Sequence, residues 1–201
     1  MSIPLAIALA ASAVLLLAAL SALVLWRRDC ASLRVSTALA VAGCALGAAA
    51  AIAALAGGTT GTVASAWRTP LGPLTLGIDP LTSFFLLCVA VVGGLGALFG
   101  AGYVDRQRDT LNASAVAAGY PLLIAAMAGV VLARDAMTFL LAWECMTLAS
   151  FFLVTAEGEH AARPGLTYLL ASQLGVAPLF VLFALLAAHG HGTGFDAIRA
   201  A

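Results

Sequence analysis

The sequence predicts an all-α, polytopic membrane protein of six transmembrane helices, and three observations lead there. Of its 201 residues, 63% are hydrophobic and only 9% are charged, against about a quarter charged in an ordinary soluble domain, and the mean hydropathy is +1.09. Six stretches reach the roughly 20 apolar residues that a bilayer crossing needs, at about 4–26, 33–57, 80–102, 112–133, 136–156 and 165–188. Charges gather near the ends of these stretches, and Glu144 alone is set into the middle of one.

The first stretch is apolar almost from Met1, has no basic segment before it, and meets its first charges at Arg27 and Arg28. That order is the reverse of a secretory signal, so the segment is expected to remain as a helix. The second stretch is rich in Ala, Gly and Ser, as in Gly43-Cys44-Ala45-Leu46-Gly47. Such surfaces suit close helix packing, and helices one and two read as peripheral scaffold. Ahead of the third stretch, Leu74, Leu76 and Ile78 alternate with Thr75, Gly77 and Asp79 behind Gly72-Pro73. This pattern fits a strand or hairpin at about 71–79 on the outer surface, and an extended linker fits it equally.

Asp79-Pro80 supplies an N-cap and a first-turn proline for the third helix, and Asp135 can cap the fifth. Pro121 and Pro178 each remove a backbone donor and are expected to kink the fourth and sixth. All nine basic residues are arginine. Arg27, Arg28, Arg34, Arg106, Arg108 and Arg163 fall in the odd-numbered connections, whereas Arg68, Arg134 and Arg199 fall in the even ones and the tail. The positive-inside rule then puts the odd connections in the cytoplasm and both termini outside. The whole of 1–201 reads as a single membrane domain in a prokaryotic inner membrane.

Composition also excludes. Nine acidic residues balance the nine arginines, so nothing favours nucleic acid as a partner. Cys30, Cys44, Cys88 and Cys145 show neither C-x-x-C spacing nor a nearby histidine, which supports no metal site, no disulfide framework and no bound cofactor.

What remains is Glu144. Eight residues into its helix, it lies about 12 Å below the boundary of a hydrocarbon layer about 30 Å thick. A charge there costs at least ~2.5 kcal/mol by insertion scales, and such residues by default mark ion pathways. Burial in lipid favours the neutral acid and a nearby cation favours the ionised one, so a carboxylate balanced between them can load and release a proton. The competing reading is a neutral side chain that hydrogen-bonds a neighbouring helix. The same helical face carries Met137, Leu140, Leu141, Thr147, Leu148, Phe151 and Thr155, an apolar path with two hydroxyl steps. Gln173 on helix six can orient the carboxyl or water, or only tie two helices together. His160 can relay protons near neutral pH or be a solvated loop residue. With no lysine in the chain, a cation that neutralises Glu144 is expected from outside these residues.

These words resemble a family. Gly77-Ile78-Asp79-Pro80-Leu81-Thr82-Ser83-Phe84-Phe85, Leu141-Ala142-Trp143-Glu144-Cys145-Met146-Thr147-Leu148-Ala149-Ser150 and Gly165-Leu166-Thr167-Tyr168-Leu169 are similar to the antiporter-like, proton-conducting membrane subunits of complex I, Mrp-type antiporters and membrane-bound hydrogenases. The Trp-Glu-x-Met run favours the hydrogenase branch, typified by hydrogenase-4 component B and formate hydrogenlyase subunit 3. The resemblance implies a fourteen-helix fold with both ends outside, of which this chain is a truncated, N-terminal part. It also implies that Glu144 is the proton-transfer carboxylate, paired with a lysine on a broken seventh helix that these residues do not include. Thr147, Thr155, Gln173 and His160 stand as candidates for the proton path.

The expected partners are the lipid bilayer and the other membrane and peripheral subunits of a redox complex, where iron–sulfur clusters, metal and catalysis would reside. Taken alone, the chain is expected neither to catalyse nor to conduct. Two alternatives stay open: a subunit of a multisubunit Na⁺/H⁺ antiporter, and a non-conducting membrane scaffold.

Overall fold

The computed structural model describes residues 2–69, 72–107, 111–190 and 192–200. Six of its helices are long and apolar enough to cross a membrane. They are α1 (Ile3–Val24), α2 (Asp29–Gly57), α3 (Pro80–Arg106), α4 (Ala113–Leu132), α5 (Ala136–Thr155) and α6 (Ala162–Gly190), and a short α7 (Phe195–Ala200) follows. A two-stranded antiparallel hairpin, β1 (Gly61–Thr69) and β2 (Gly72–Ile78), stands between α2 and α3. The protein is a multi-pass, six-helix membrane chain.

Several ends lie outside the apolar windows. α2 begins at Asp29 and α3 runs on to Arg106, because a helix continues into the interface where polar residues are solvated, while an apolar count stops at the hydrocarbon. Asp29 in the first turn and Arg106 in the last also suit the ends of their helix dipoles. α2 stops at Gly58, whose φ of 55° is left-handed, with the Thr59 amide donating to the Ala54 carbonyl at 3.0 Å.

The strand pattern at about 71–79 is one half of the hairpin, and its residue 71 lies outside the described residues. The partner strand β1 pairs from Gly61↔Ile78 to Thr69↔Gly72, with an irregularity between Ala64 and Arg68. Its small and polar residues carry no clean alternation in sequence.

α1, α2, α3 and α4 pack into the central bundle, α5 leans on α4, and α6 packs chiefly on α5. Helices one and two are thus central to this bundle rather than peripheral scaffold. Three layers of core run through it, built largely of alanine: Leu5, Ala51 and Leu132 near the hairpin, Leu15, Cys44 and Ile124 midway, and Ala22, Leu33 and Ala117 at the far end. In lipid, helices associate by close packing rather than by expelling water, so small residues at the seam are what bring them together. Gly43 shows how tight the seam is, since a Cβ there would sit 2.9 Å from Leu15 Cγ.

Pro121 lies inside α4 and has no amide hydrogen, which leaves the Ala117 carbonyl, four residues earlier, without its helical donor. The hydroxyl of Ser36 on α2 donates to that carbonyl at 2.5 Å. Beside it the Tyr120 hydroxyl donates to the Gly93 carbonyl of α3 at 3.0 Å. The carbonyl that the proline frees is therefore satisfied by a neighbouring helix, as transmembrane prolines require.

Candidate functional site

α5 starts where Asp135 caps it. One carboxylate oxygen accepts from the Thr138 amide at 2.9 Å, and the other accepts from the Thr138 hydroxyl and from the Thr75 amide of β2, both at 2.6 Å. Arg134, just before, donates its backbone amide to the Thr75 carbonyl. Its guanidinium pairs with Asp79 at 2.8 Å and donates to the Thr82 hydroxyl at 3.0 Å. Asp79 in turn caps α3 by accepting from the Thr82 amide at 2.7 Å. Burial pushes the Asp79 carboxyl up, but the Arg134 guanidinium and the Thr82 amide outweigh it and hold the group down at about 2. Gly77 is required beside this pair, because a Cβ there would lie 2.6 Å from Arg134 Nε.

The same turn receives the segment after α6. The Ala136 amide donates to the Thr193 carbonyl and the Phe195 amide to the Arg134 carbonyl, both at 3.0 Å. Phe139, Phe183 and Phe195 close over it as an aromatic cluster. One three-residue turn, 133–135, thus joins the hairpin, α3, α5 and α7. Sequence reasoning used Arg134 only as a charge to be counted. The available signal was an arginine on the sparsely charged side, adjacent to a helix cap, where a partner is to be expected.

Glu144 is the ninth residue of α5, about 12 Å along the helix from this anchor. It is half-buried, and its Oε2 accepts from Gln173 Nε2 of α6 at 2.8 Å. The structure therefore brings two of the sequence candidates together across the α5–α6 seam. It does not gather the others around them. The buried Thr147 hydroxyl donates to the Trp143 carbonyl at 3.1 Å, and the Thr155 hydroxyl to the Phe151 carbonyl at 3.0 Å, so both donate back into their own helix. Each still has lone pairs free to accept. His160 is exposed in the short turn Glu159–Ala161 between α5 and α6.

The α5–α6 seam is pinned at three heights. Gly165 meets Thr155 and Phe151 at one end, Gln173 meets Glu144 in the middle, and Phe183 meets Phe139 at the other. Among the described residues no group of three or more His, Cys, Asp or Glu side chains comes together to hold a metal.

No family model matches the chain. An uncharacterised protein of Mycobacterium tuberculosis is 37% identical over 147 residues, 67% of this chain and 22% of its own length. NADH-quinone oxidoreductase subunit N of Geobacter metallireducens is 33% identical over 125 residues, 60% of this chain and 26% of its own. Hydrogenase-4 component B of Escherichia coli is 25% identical over 127 residues, 63% of this chain and 19% of its own. The chain is a homologue of the antiporter-like membrane subunits.

Solved structures agree on the architecture of an antiporter-like subunit. The Mrp complex from Dietzia sp. superposes with a TM-score of 0.76 at 25% identity, over 95% of this chain and 20% of that one. A membrane-bound sulfane sulfur reductase, an archaeal respiratory membrane complex, shares the fold with a TM-score of 0.75 at 20% identity, over 95% of this chain and 39% of that one. The chain spans about a fifth to a quarter of the length of the curated relatives it matches. Both of these solved structures are of complexes.

Proposed function

We propose that this chain is part of a proton-translocating membrane subunit in a hydrogenase-type or NADH:quinone oxidoreductase-like complex, where it couples electron transfer to proton transport. One observation carries the reading: Glu144 stands in mid-span with an amide hydrogen-bonded to it across a helix seam. A carboxyl group at this depth costs at least ~2.5 kcal/mol, and a purely structural contact could be made by an uncharged residue. An amide partner also suits a group that changes state, because Gln173 can donate to a carboxylate through its nitrogen or accept from an acid through its oxygen. Thr147, Thr155 and His160 extend from Glu144 toward the opposite end of α5 from its cap, and form the proposed path.

In this reading the connections and helix ends bearing Arg27, Arg28, Arg34, Arg106 and Arg163 face the cytoplasm and both termini lie outside. The pairing of Arg134 with Asp79 supports that orientation, since it neutralises one of the arginines on the sparser side. The partners are lipid and the redox subunits that carry the metal centres.

The test is Glu144→Gln in the complete complex, with proton uptake and electron transfer measured together. Coupled proton transport should fall by at least tenfold, on the order of what removing a positioned proton-transfer group costs. Unaltered transport would leave the chain a scaffold. The likeness to the Mrp complex favours a second reading, a subunit of a multisubunit Na⁺/H⁺ antiporter. Sodium-dependent proton exchange in vesicles, without any electron donor, would select it.

A further inference from the structure

At the end of the bundle away from the hairpin, a cavity of about 500 Å³ opens between α1 and α5. Its floor is the start of α4, where Ala115 and Ala118 present no bulk. Its walls are Leu23 of α1, Trp26 in the turn that follows, and Phe152 and Thr155 of α5. The trench exists because α4 packs on both α1 and α5 while its own side chains here are too small to fill the space between them. It belongs neither to the Glu144–Gln173 pair nor to the Arg134 turn.

Two features specify an occupant. Along α4 the trench runs from Asn112 to Leu122, about 15 Å at 1.5 Å per residue. That is half of a hydrocarbon layer about 30 Å thick, so the groove serves one leaflet, and a partner helix crossing the membrane would need twice that length. At the mouth, half-exposed Trp26 is followed at once by Arg27 and Arg28, both exposed. Asp29, next along the chain, is engaged by the Ser114 hydroxyl at 2.8 Å, and Glu157, which follows Ala156 of the cavity lining, is exposed. An apolar slot one leaflet deep, an indole lining its mouth and two exposed arginines next to that indole in the chain suit a phospholipid. Guanidinium binds phosphate by charge-assisted, bidentate hydrogen bonds, and tryptophan favours the headgroup level.

We infer that this trench is a phospholipid site, with an acyl chain lying over Ala115 and Ala118 and the phosphate held by Arg27 and Arg28. Native mass spectrometry of the full chain, purified in mild detergent, tests it. A phospholipid should stay bound through detergent exchange. Ala118→Leu, which fills the slot, and the surface pair Arg27→Ala/Arg28→Ala, which leaves the helices untouched, should each lower its occupancy by roughly tenfold or more, since each arginine near a phosphate surface contributes about a factor of five.

A lipid-free wild-type chain overturns the inference, and so does undiminished lipid in either variant. Cross-linking of Ala118→Cys to another protein subunit in native membranes would also overturn it, by showing that a polypeptide fills the trench. Circular dichroism of the arginine pair variant, expected to match the parent, separates lost binding from lost folding.

Discussion

Ser36 offers a quantitative test of how a membrane helix with an internal proline is stabilised. Its hydroxyl is 1% exposed as part of the residue and donates at 2.5 Å to the Ala117 carbonyl, the group that Pro121 deprives of a helical donor. Ser36→Ala therefore removes a hydrogen bond and also strands a buried acceptor. A stranded buried group costs about 1–3 kcal/mol, while hydrogen bonds between membrane helices average about 0.6 kcal/mol because the unfolded chain in lipid finds other partners. The expected loss is about 1–2 kcal/mol. In a Pro121→Ala background the amide of residue 121 can again donate to Ala117, so the same Ser36→Ala change should cost only about 0.5 kcal/mol. The cycle of four proteins, unfolded reversibly in mixed micelles and followed by far-ultraviolet circular dichroism, should then show a coupling of about 1 kcal/mol. Equal losses in the two backgrounds would refute the account, because the serine would then be doing something unrelated to the missing amide.

Other tests address the anchors of α3, α5 and α6. The Asp79 carboxyl is held at about 2 against an ordinary value of 3.8; a depressed acid contributes stability that is complete above about pH 4 and is lost as the pH falls toward 2. At roughly 1.4 kcal/mol per unit, discounted because the side chain is 31% exposed, the loss should be about 1–2 kcal/mol, seen as an acid-induced drop in melting temperature that Asp79→Asn abolishes. Gly77→Ala forces a Cβ against Arg134 and should destabilise by about 1–3 kcal/mol, with the hairpin becoming protease-sensitive before the helices unfold. Gln173→Leu removes the polar tie in the middle of the α5–α6 seam. It should lower disulfide cross-linking between Thr155→Cys and Gly165→Cys by about threefold, the equivalent of an average hydrogen bond between membrane helices.

Much of this architecture could be read from composition because lipid imposes it: twenty apolar residues in a row have few alternatives to a spanning helix. Asp79-Pro80 and Asp135 were equally legible, since a cap acts on its own helix within three residues. Glu144 declared itself by being a carboxylate where none is tolerated without reason. The contacts that position these groups were hidden. Ser36 and Ala117 are 81 residues apart, and Arg134 and Thr82 are 52 apart; a single sequence carries no periodicity that links them. Alanine-rich helices are also ambiguous by nature. Small residues announce that something approaches closely without saying how many neighbours do, which is why α1 and α2 read as periphery and proved to be half of the central bundle. β1 escaped notice because Val63 is the large apolar residue among the first four of the strand that packs on the core, too little for an alternation to show in the sequence.

The two helices that share Glu144 and Gln173 are secured very differently, and this bears on how the site can work. α5 is fixed at its start by the Asp135 cap, the Arg134 turn and β2, and along its length by α4. The depth of Glu144 is thereby set, because about 12 Å of rigid helix separates it from that anchor. α6 rests chiefly on α5, and nearly all of its outer surface, including Leu170, Leu174 and Val181, is exposed in this chain. A change at the carboxyl group that reverses the hydrogen bond must be absorbed by the partner that can move, and that is Gln173 with its helix. If α5 moved instead, the cap, the ion pair and the hairpin would have to be disrupted together, at several kcal/mol. Spin labels on α6 near Leu174 should therefore change mobility when Glu144→Gln replaces the accepting carboxylate by an amide, while labels on α5 near Leu141 should not. Movement of α5 with α6 still would place the flexible element on the wrong side of the seam.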